Sequence, residues 1–409
     1  MPVTSARDLR RSGSLMRVLH VITGLNVGGA ETMLSRLLER QDVAPDLRPR
    51  VATLMPPGFM GGRIAATGTP IHQLGMKTAA SGFRAVGRLA SLLRKDRPDL
   101  VIGWMHHAQL AASIAVRLSG TGVPVIWNVR HSLGAYSSEK PATRAILTVQ
   151  ARLSSTPAAL IFNAHQARQQ YEAFGFRNAR VEVIPNGFAL SPPPDRAAAR
   201  ARLQALFGIP RTPLLVGMVA RAHPMKDVPN LVTAFARMLD RGTDVHLFLA
   251  GDGMDRPTKA VAAALAVLPR DRWTLTGQRS DVGVWLGGLD MLALPSAWGE
   301  GFPNIVGEAM LAAVPCVATD VGDTRWIIDD AGRVVPPGDP EALARALLDL
   351  ASLRAAGRAA LGKAARRRIE TEYDLDRIAG RYAALCRSIV RSPRPAMAAA
   401  AMLRVEGSR

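Results

Sequence analysis

The sequence has little of three things on which many proteins depend: cysteine, aromatic side chains and long apolar runs. Its 409 residues include only two cysteines, Cys316 and Cys386, which excludes a disulfide framework and a cysteine-based zinc site. No apolar stretch reaches the ~18 residues that a membrane-spanning helix needs. The polar, Arg-rich start lacks the apolar core of a secretory signal. These features predict a protein of the reducing cytoplasm.

Acidic residues are also few beside the basic ones. The chain carries 52 Lys and Arg against 33 Asp and Glu, and residues 1–187 alone hold 23 basic and 10 acidic side chains. Such a charge attracts anions of any kind, including nucleotide phosphates, acidic phospholipid and nucleic acid. Aromatic residues make up only 5%, so few side chains are available to stack on nucleic-acid bases. The usual zinc-finger and RNA-binding motifs are also absent. A basic nucleic-acid-binding protein is therefore the weaker alternative.

Short apolar runs alternate with helical stretches along the whole chain, the pattern of repeated β-α-β units. A proline-rich break at 191–195 separates two such series. The pattern predicts an α/β protein with two doubly wound parallel sheets, in domains at 16–190 and 191–374, and disordered tails at 1–15 and 393–409. The candidate strands are 17–23, 50–55, 70–75, 100–105, 124–129, 159–164 and 181–186, then 214–220, 245–251, 273–277, 291–296, 315–320 and 332–336.

Three loops at strand ends point to a ligand-binding cleft between the two domains, because open parallel sheets bind ligands at the carboxyl ends of their strands. The first loop, GLNVGGAE at 24–31, lies between a strand and a helix. Its glycines let the backbone approach a ligand, and the helix start attracts anions. The glycines do not form the dinucleotide-binding pattern G-x-G-x-x-G, and a plain tight turn explains the loop equally well.

The second loop, ARAHPMKDV at 220–228, follows a strand and precedes a helix. Arg221 and Lys226 lie five residues apart, where a guanidinium and an ammonium can clamp a diphosphate from two sides. They would neutralise the charge that develops on a departing nucleoside diphosphate. Two solvated loop cations are the alternative, and the place in the fold favours phosphate binding.

The third segment, PSAWGEGFPNIVGEAM at 295–310, is the most specific. Glu300 and Glu308 lie eight residues apart and flank the start of a helix whose N–H groups are available to phosphate. Glu308, one turn into the helix, can accept two vicinal hydroxyls such as those of a ribose, and Glu300 would reach the sugar end. Between Glu300 and the predicted helix start at Asn304 lie Gly301, Phe302 and Pro303.

With these motifs the sequence resembles the retaining nucleotide-sugar glycosyltransferases of family four, which have the GT-B fold. The resemblance extends over 16–390 and implies two Rossmann-like domains facing a central cleft, with a last helix at 375–392 crossing back to the amino-terminal domain. The sequence departs from the family pattern at Ala220, Ala222 and Asp323. The supporting motifs are GGAE at 28–31, IPNG at 184–187, GDG at 251–253, the two-glutamate segment at 294–310 and VPCVATDVGDTRWII at 314–328.

The resemblance also assigns roles to residues. Arg221 and Lys226 would hold the donor's diphosphate, Glu308 its ribose, and Glu300 the hydroxyls of the transferred sugar. The donor's base would lie against the loop 277–279. His131 matches the family's active-site histidine, with His106 and His107 as competing cleft residues. The implied donor-binding positions are Gly28, Gly29, Arg221, Lys226, Gly277, Gln278, Arg279, Gly301, Phe302, Pro303, Asn304 and Glu308, and the implied catalytic positions are His131 and Glu300.

By resemblance the protein is a hexosyltransferase that moves a sugar from a nucleotide-sugar to a glycan or lipid-linked acceptor with retention, in bacterial cell-surface or exopolysaccharide synthesis. No cofactor is expected and no metal, since the single Asp-x-Asp triplet, 374–376, lies far from the cluster in sequence. A nucleotide-sugar epimerase of the same architecture is the alternative, although it would not be expected to carry the two-glutamate segment.

The segment 83–97 bears on where the protein works. Its residues predict a helix with an apolar side and basic residues largely elsewhere, which fits a core helix or one that docks on the anionic inner face of the cytoplasmic membrane. The core interpretation is favoured. The predicted apolar side consists of Phe83, Val86, Leu89, Leu92 and Leu93.

Overall fold

Two parallel β-sheets flanked by helices form the body of the protein, which a computed structural model describes at residues 15–26, 28–133, 141–209 and 213–391. The predicted tails lie outside these residues, apart from Leu15. The strands are β1 (Met16–Ile22), β2 (Leu47–Thr53), β3 (Ile71–Gln73), β4 (Leu100–Trp104), β5 (Val125–Val129), β6 (Ala159–Phe162), β7 (Val181–Val183), β8 (Leu214–Val219), β9 (Val245–Ala250), β10 (Trp273–Thr276), β11 (Met291–Leu294), β12 (Cys316–Thr319) and β13 (Arg333–Val335).

The strand order confirms the doubly wound prediction. In the described part of the chain, seven strands pair in the order β3-β2-β1-β4-β5-β6-β7 and six in the order β10-β9-β8-β11-β12-β13, all in parallel. Central strands such as β4 and β11 are buried throughout, which is why their sequences are continuous apolar runs. The order reverses between β1 and β4 and between β8 and β11, and ligands of such sheets bind outside these points.

Helices cover both sheets, and the described part of the chain contains no helix both long and apolar enough to span a bilayer. The helices are α1 (Gly29–Leu38), α2 (Phe59–Ala66), α3 (Ala79–Asp96), α4 (Met105–Ser119), α5 (Pro141–Leu153), α6 (His165–Phe174), α7 (Arg196–Phe207), α8 (Val228–Asp240), α9 (Lys259–Leu265), α10 (Val282–Trp285), α11 (Asn304–Leu311), α12 (Thr324–Ile328), α13 (Pro340–Ser352), α14 (Ala355–Glu372) and α15 (Leu375–Arg391).

Helix α3 corrects one prediction. Leu89 and Leu93 are fully buried and Val86 packs beside them, but Phe83 is 86% exposed. Phe83 precedes Leu89 by six residues, which at 3.6 residues per turn places its side chain about 120° away around the helix. The interpretation of Phe83 as part of the apolar side is therefore wrong, and its ring faces solvent.

The chain crosses between the two sheets twice, at neighbouring places. The N–H of Phe188 donates to the carbonyl of Tyr373 at 2.9 Å, and the N–H of Leu375 donates to the carbonyl of Phe188 at 3.0 Å. After this crossing, α15 packs against the first sheet, where Ile378 and Tyr382 join its buried cluster. We therefore call the first sheet, its helices and α15 the amino-terminal unit, and the second sheet with its helices the carboxyl-terminal unit.

Candidate active site

The loop 220–228 follows β8, and the segment 295–310 follows β11. These two strands are neighbours in the second sheet, at the point where its strand order reverses. The loop and the segment contact each other directly, because the N–H of Ala297 donates to the carbonyl of Met225 at 2.8 Å. The neighbouring loop after β9 also packs here. Gly251 has a φ of +141°, and a Cβ at this position would collide with the carbonyl oxygen of Ala220, so only glycine fits.

Lys226 and Glu300 form an ion pair at the centre of this loop cluster. The Lys226 ammonium contacts Oε1 of Glu300, and the Ser296 hydroxyl donates to the same oxygen at 2.6 Å. The two charged side chains are only 14% and 9% exposed. A charge that is largely withdrawn from water needs a partner, so this is a built arrangement and Lys226 is not a solvated loop cation. Arg221, at the start of the same loop, is exposed.

Helix α11 begins beside this pair. Pro303 is its N-cap residue and Asn304 its first residue. The Phe302 ring is buried against Phe188 and Tyr373, with ring centroids 6.2 and 5.5 Å apart. The Phe302 side chain thus anchors the segment in the core.

The segment predicted to lie against the donor base, 277–279, follows β10 at the edge of the second sheet. Arg279 donates from Nε and a terminal nitrogen to the two oxygens of Asp281, at 2.9 and 2.6 Å, and lies 5.4 Å over the Phe207 ring. These hydrogen bonds lower the pKa of Asp281 to about 2. The Arg279 guanidinium is therefore held beside Asp281, while Gln278 is exposed and Gly277 packs close to Asp255.

The glycine loop of the amino-terminal unit lies opposite α11. Gly29 is the first residue of α1, and the Asn304 amide nitrogen is 3.8 Å from the position a Cβ would take there. The Glu31 carboxylate folds back against Gly28, where a Cβ would lie too close to it. Burial raises the pKa of Glu31 above its ordinary value. The structure thus brings the first and third predicted motifs together.

The three candidate histidines differ in their surroundings. His106 is buried, with Nδ1 2.9 Å from the Gln150 amide oxygen and Nε2 3.0 Å from the Tyr171 hydroxyl. Burial lowers its pKa to about 4. His131, half-buried in the loop after β5, presents its ring at 80° to that of His106, with centroids 5.8 Å apart. His106 is thus packed beneath His131, and His107 is exposed.

Further contacts join the two units, and motif analysis missed them. Arg130, next to His131, donates to the side-chain oxygen of Asn186, whose amide nitrogen donates to the side-chain oxygen of Asn304 at 2.5 Å. Arg130 also donates to the Tyr382 hydroxyl of α15 at 3.0 Å, and its burial lowers its pKa from the usual arginine value. One chain of hydrogen bonds therefore links the loop after β5, the first residue of α11, α15 and the segment at Asn186 and Gly187 through which the chain leaves the first sheet, which we call the inter-unit linker.

Asp323 makes a second connection. Its carboxylate accepts hydrogen bonds from the backbone N–H groups of His165 and Gln166 at the start of α6, at 2.7 and 3.0 Å. Its own N–H donates to the carbonyl of Gly301 at 2.8 Å. The resembling family commonly has a glycine at the position of Asp323. This difference was the only feature of the sequence that set Asp323 apart, and it did not indicate the contact with α6.

The third connection involves Glu308. Its Oε1 accepts a hydrogen bond from Arg36 of α1 at 2.9 Å. No local pattern in the sequence indicates this pair, since its members are 272 residues apart. Within the described ranges, no three His, Cys, Asp or Glu side chains come close enough together to bind a metal ion.

Comparison with known families accounts for both units. A family model for the glycosyl transferase 4-like domain matches residues 28–187, and a model for glycosyl transferases group 1 matches residues 213–352. Together they take in well over half of the chain. The chain belongs to the group 1 glycosyltransferases.

Individual relatives of this glycosyltransferase are distant. It is 24% identical to EpsF of Bacillus subtilis, which is named a glycosyltransferase, over 76% of this chain and 80% of that one. It is 31% identical to the 2-deoxystreptamine glucosyltransferase of Streptomyces kanamyceticus over 58% of this chain and 63% of that one.

Among solved structures, HepE of Anabaena in complex with UDP and glucose superposes with a TM-score of 0.77 at 20% identity, covering 91% of this chain and all of that one. At this level of identity the likeness shows a shared fold, and it confirms the two-unit GT-B architecture of this glycosyltransferase.

Proposed function

We propose that the protein transfers a sugar from a nucleoside-diphosphate donor to a glycan or lipid-linked acceptor with retention of the anomeric configuration, in the synthesis of a bacterial surface or extracellular polysaccharide. The observation that carries the proposal is the Lys226–Glu300 pair, buried at the order reversal of the second sheet and beside the start of α11. A cation, a carboxylate and free helix N–H groups at one point suit a ligand that offers both phosphate and sugar hydroxyls.

In this proposal, donor binding separates the pair by giving each charge a new partner. Lys226 turns to the diphosphate together with Arg221, whose exposed side chain is free to swing inward. Glu300 and the backbone of Gly301 to Asn304 accept and donate hydrogen bonds to the transferred sugar. Glu308 holds the ribose, and the base lies against 277–279. Gly28 and Gly29 border the phosphates and the acceptor.

The chemistry then depends on the leaving group. The bond between the anomeric carbon and the phosphate oxygen breaks with its electron pair going to the diphosphate, whose growing charge Lys226 and Arg221 neutralise. The acceptor hydroxyl bonds to the anomeric carbon on the same face and gives its proton to the leaving phosphate oxygen. His131 would border the transferred sugar in this arrangement. Lys226 and Arg221 supply the positive charge that stabilises the leaving diphosphate, so we propose that no metal takes part.

The relatives support the donor class. HepE of Anabaena was crystallised with UDP and glucose, and the Streptomyces relative is named a glucosyltransferase. A nucleoside diphosphate carrying a hexose is therefore the donor class we propose. Thermal stabilisation of the purified protein by UDP, GDP or ADP, and then by the corresponding sugars, identifies the member, because a ligand that binds only the native state raises the melting temperature.

The function is tested by donor turnover. Lys226→Ala and Glu308→Ala should each lower transfer roughly 100-fold or more, as removal of a group that stabilises transition-state charge or fixes the donor does. Lys259→Ala and Glu341→Ala, on helices α9 and α13, are matched controls and should leave transfer unchanged. Near-normal turnover in both site variants would refute the site. Conversion of the donor into an isomer without any acceptor would instead identify an epimerase.

The exposed Phe83 bears on the acceptor. It stands on α3 beside the exposed Arg84, with Lys95 and Arg97 also exposed at the helix end. A helix that exposes an aromatic ring near one end and cations along its length suits the headgroup region of an anionic bilayer, and we propose peripheral docking there to reach a lipid-linked acceptor. Phe83→Ser should weaken sedimentation with anionic vesicles, whereas Val267→Ser, an exposed apolar residue of the other unit, should not. Absence of wild-type binding even at low salt would remove this part of the proposal.

A further inference from the structure

Arg36 of α1 is the residue of the amino-terminal unit that reaches the proposed ribose-binding carboxylate. One terminal nitrogen of its guanidinium donates to Oε1 of Glu308 at 2.9 Å, and the other donates to the carbonyl of Gly187 in the inter-unit linker at 3.2 Å. The guanidinium carbon lies 5.5 Å from the centre of the Phe188 ring. Three contacts therefore fix this arginine, which is only 18% exposed, before any ligand arrives.

The contact with Arg36 occupies one oxygen of the Glu308 carboxylate and leaves the other, Oε2, available to a ligand. Arg36 bonds to Oε1, and the side chain of Glu308 remains 35% exposed. A glutamate on a helix surface ordinarily loses rotamer freedom when it binds a ligand, at a cost of free energy. Because the planar guanidinium already holds one oxygen, Glu308 is oriented in advance and less freedom remains to be lost.

We infer that Arg36 is a positioning residue for the donor's ribose: it orients Glu308 so that the carboxylate accepts hydrogen bonds from the ribose hydroxyls. This inference rests on the proposed role of Glu308. Since Arg36 belongs to the amino-terminal unit and Glu308 to the carboxyl-terminal unit, ribose recognition is complete only when the units are in contact. By linkage, ribose binding favours that contact to the same extent.

The test compares a nucleoside diphosphate with its 2′-deoxy form, which lacks one of the hydroxyls. The probe is whichever of UDP, GDP or ADP stabilises the protein, titrated calorimetrically beside its 2′-deoxy counterpart. The wild type should bind the ribose form roughly tenfold more tightly, the effect of a hydrogen bond to a charged group. Arg36→Met keeps the apolar stem over Phe188 and removes the guanidinium. It should reduce the preference at least threefold by weakening the ribose form alone.

Arg40→Ala is the matched control. Arg40 lies two residues beyond the end of α1 and pairs with Asp376 of α15 at 2.7 Å. The Arg40→Ala variant therefore loses a comparable ion pair between α15 and the end of α1, while the contacts of Glu308 stay intact. This variant should keep the wild-type preference. Arg36→Lys, which retains the charge, should restore part of the preference lost in Arg36→Met.

The outcomes separate this inference from the proposed function. If Arg36→Met keeps the full preference, or weakens both nucleotides equally as a structural loss would, the role of Arg36 is wrong while the function stands. If the wild type shows no preference, or Glu308→Gln retains it, the ribose role of Glu308 is wrong and the role of Arg36 fails with it. Transfer of sugar by the wild type is measured independently of either result.

Discussion

The carboxylate of Asp323, in the carboxyl-terminal unit, accepts a hydrogen bond of 2.7 Å from the backbone N–H of His165, in the amino-terminal unit. That N–H belongs to the first turn of α6, where backbone donors lack helical partners and the helix dipole favours an anion. The Trp326 ring stacks on the His165 ring with centroids 4.5 Å apart. The two units therefore contact each other through a charge-dipole interaction beside the proposed sugar-binding segment.

Removal of this carboxylate should loosen the contact between the units. Asp323→Ala leaves two N–H groups at the start of α6 without their acceptor and should raise the KM for the donor several-fold, with a stability loss of about 1–2 kcal/mol, typical of a lost capping residue. Urea unfolding and transfer kinetics measure both effects. Asp320→Ala removes an exposed ion pair with Arg325 in the same segment and should change neither. Equal behaviour of the two variants would contradict this role of Asp323.

Lys226 should contribute to stability as well as to transfer, and the two effects can be separated. Lys226→Met leaves the Glu300 carboxylate largely buried without its cation, which should cost on the order of 3 kcal/mol in the free energy of unfolding. The double variant Lys226→Met/Glu300→Gln removes the unpaired charge and should recover most of that stability, yet remain inactive. Recovery of transfer in the double variant would show that the loss in the single variant was structural.

Stability should fall on acidification because two histidines are buried in neutral form. Burial lowers the pKa of His20 and of His106 from 6.5 to about 4, so the unfolded chain binds more protons between these values. The free energy of unfolding should be constant above about pH 6.5 and fall below it, by roughly 2 kcal/mol per histidine at pH 5. Urea unfolding of the wild type and of His106→Gln checks this. The drop at pH 5 should be about 2 kcal/mol smaller in the variant than in the wild type, and an identical drop would exclude His106 as a source.

Chelation should leave transfer intact. In the proposed mechanism the charge on the departing diphosphate is neutralised by Arg221 and Lys226, so excess EDTA should change kcat/KM for the donor less than twofold. Added Mg²⁺ should have an equally small effect. A loss of tenfold or more with EDTA that Mg²⁺ reverses would show that the reaction depends on a metal.

Much of the fold followed from the sequence because parallel strands are buried on both faces. β4 and β11 therefore stand out in the sequence as apolar runs, and all thirteen candidate strands overlap strands of the structure. The exposed ring of Phe83 was mispredicted, because apolar character alone does not say on which side of a helix a residue lies. Its angular separation from Leu89 carried that information.

The candidate site was predictable only in part. The motifs that supply Lys226 and Glu300 are local in sequence, and adjacent strands bring them together. The partners of Glu308 and Asp323 come from the other unit, and their positions depend on how two sheets meet across a linker. No spacing rule describes that relation, so Arg36 and the start of α6 became visible as partners only in three dimensions.

The mutual neutralisation of Lys226 and Glu300 has a consequence for turnover in the proposed mechanism. A nucleotide-sugar binds both residues, because its diphosphate pairs with Lys226 and its sugar hydroxyls bond to Glu300. The nucleoside diphosphate that remains after transfer pairs with Lys226 but has no sugar to bond to Glu300. Once the sugar has left, the glutamate can regain its partner only by displacing the product. The protein's own ion pair would then act as a built-in competitor that speeds release and limits inhibition by accumulated nucleotide.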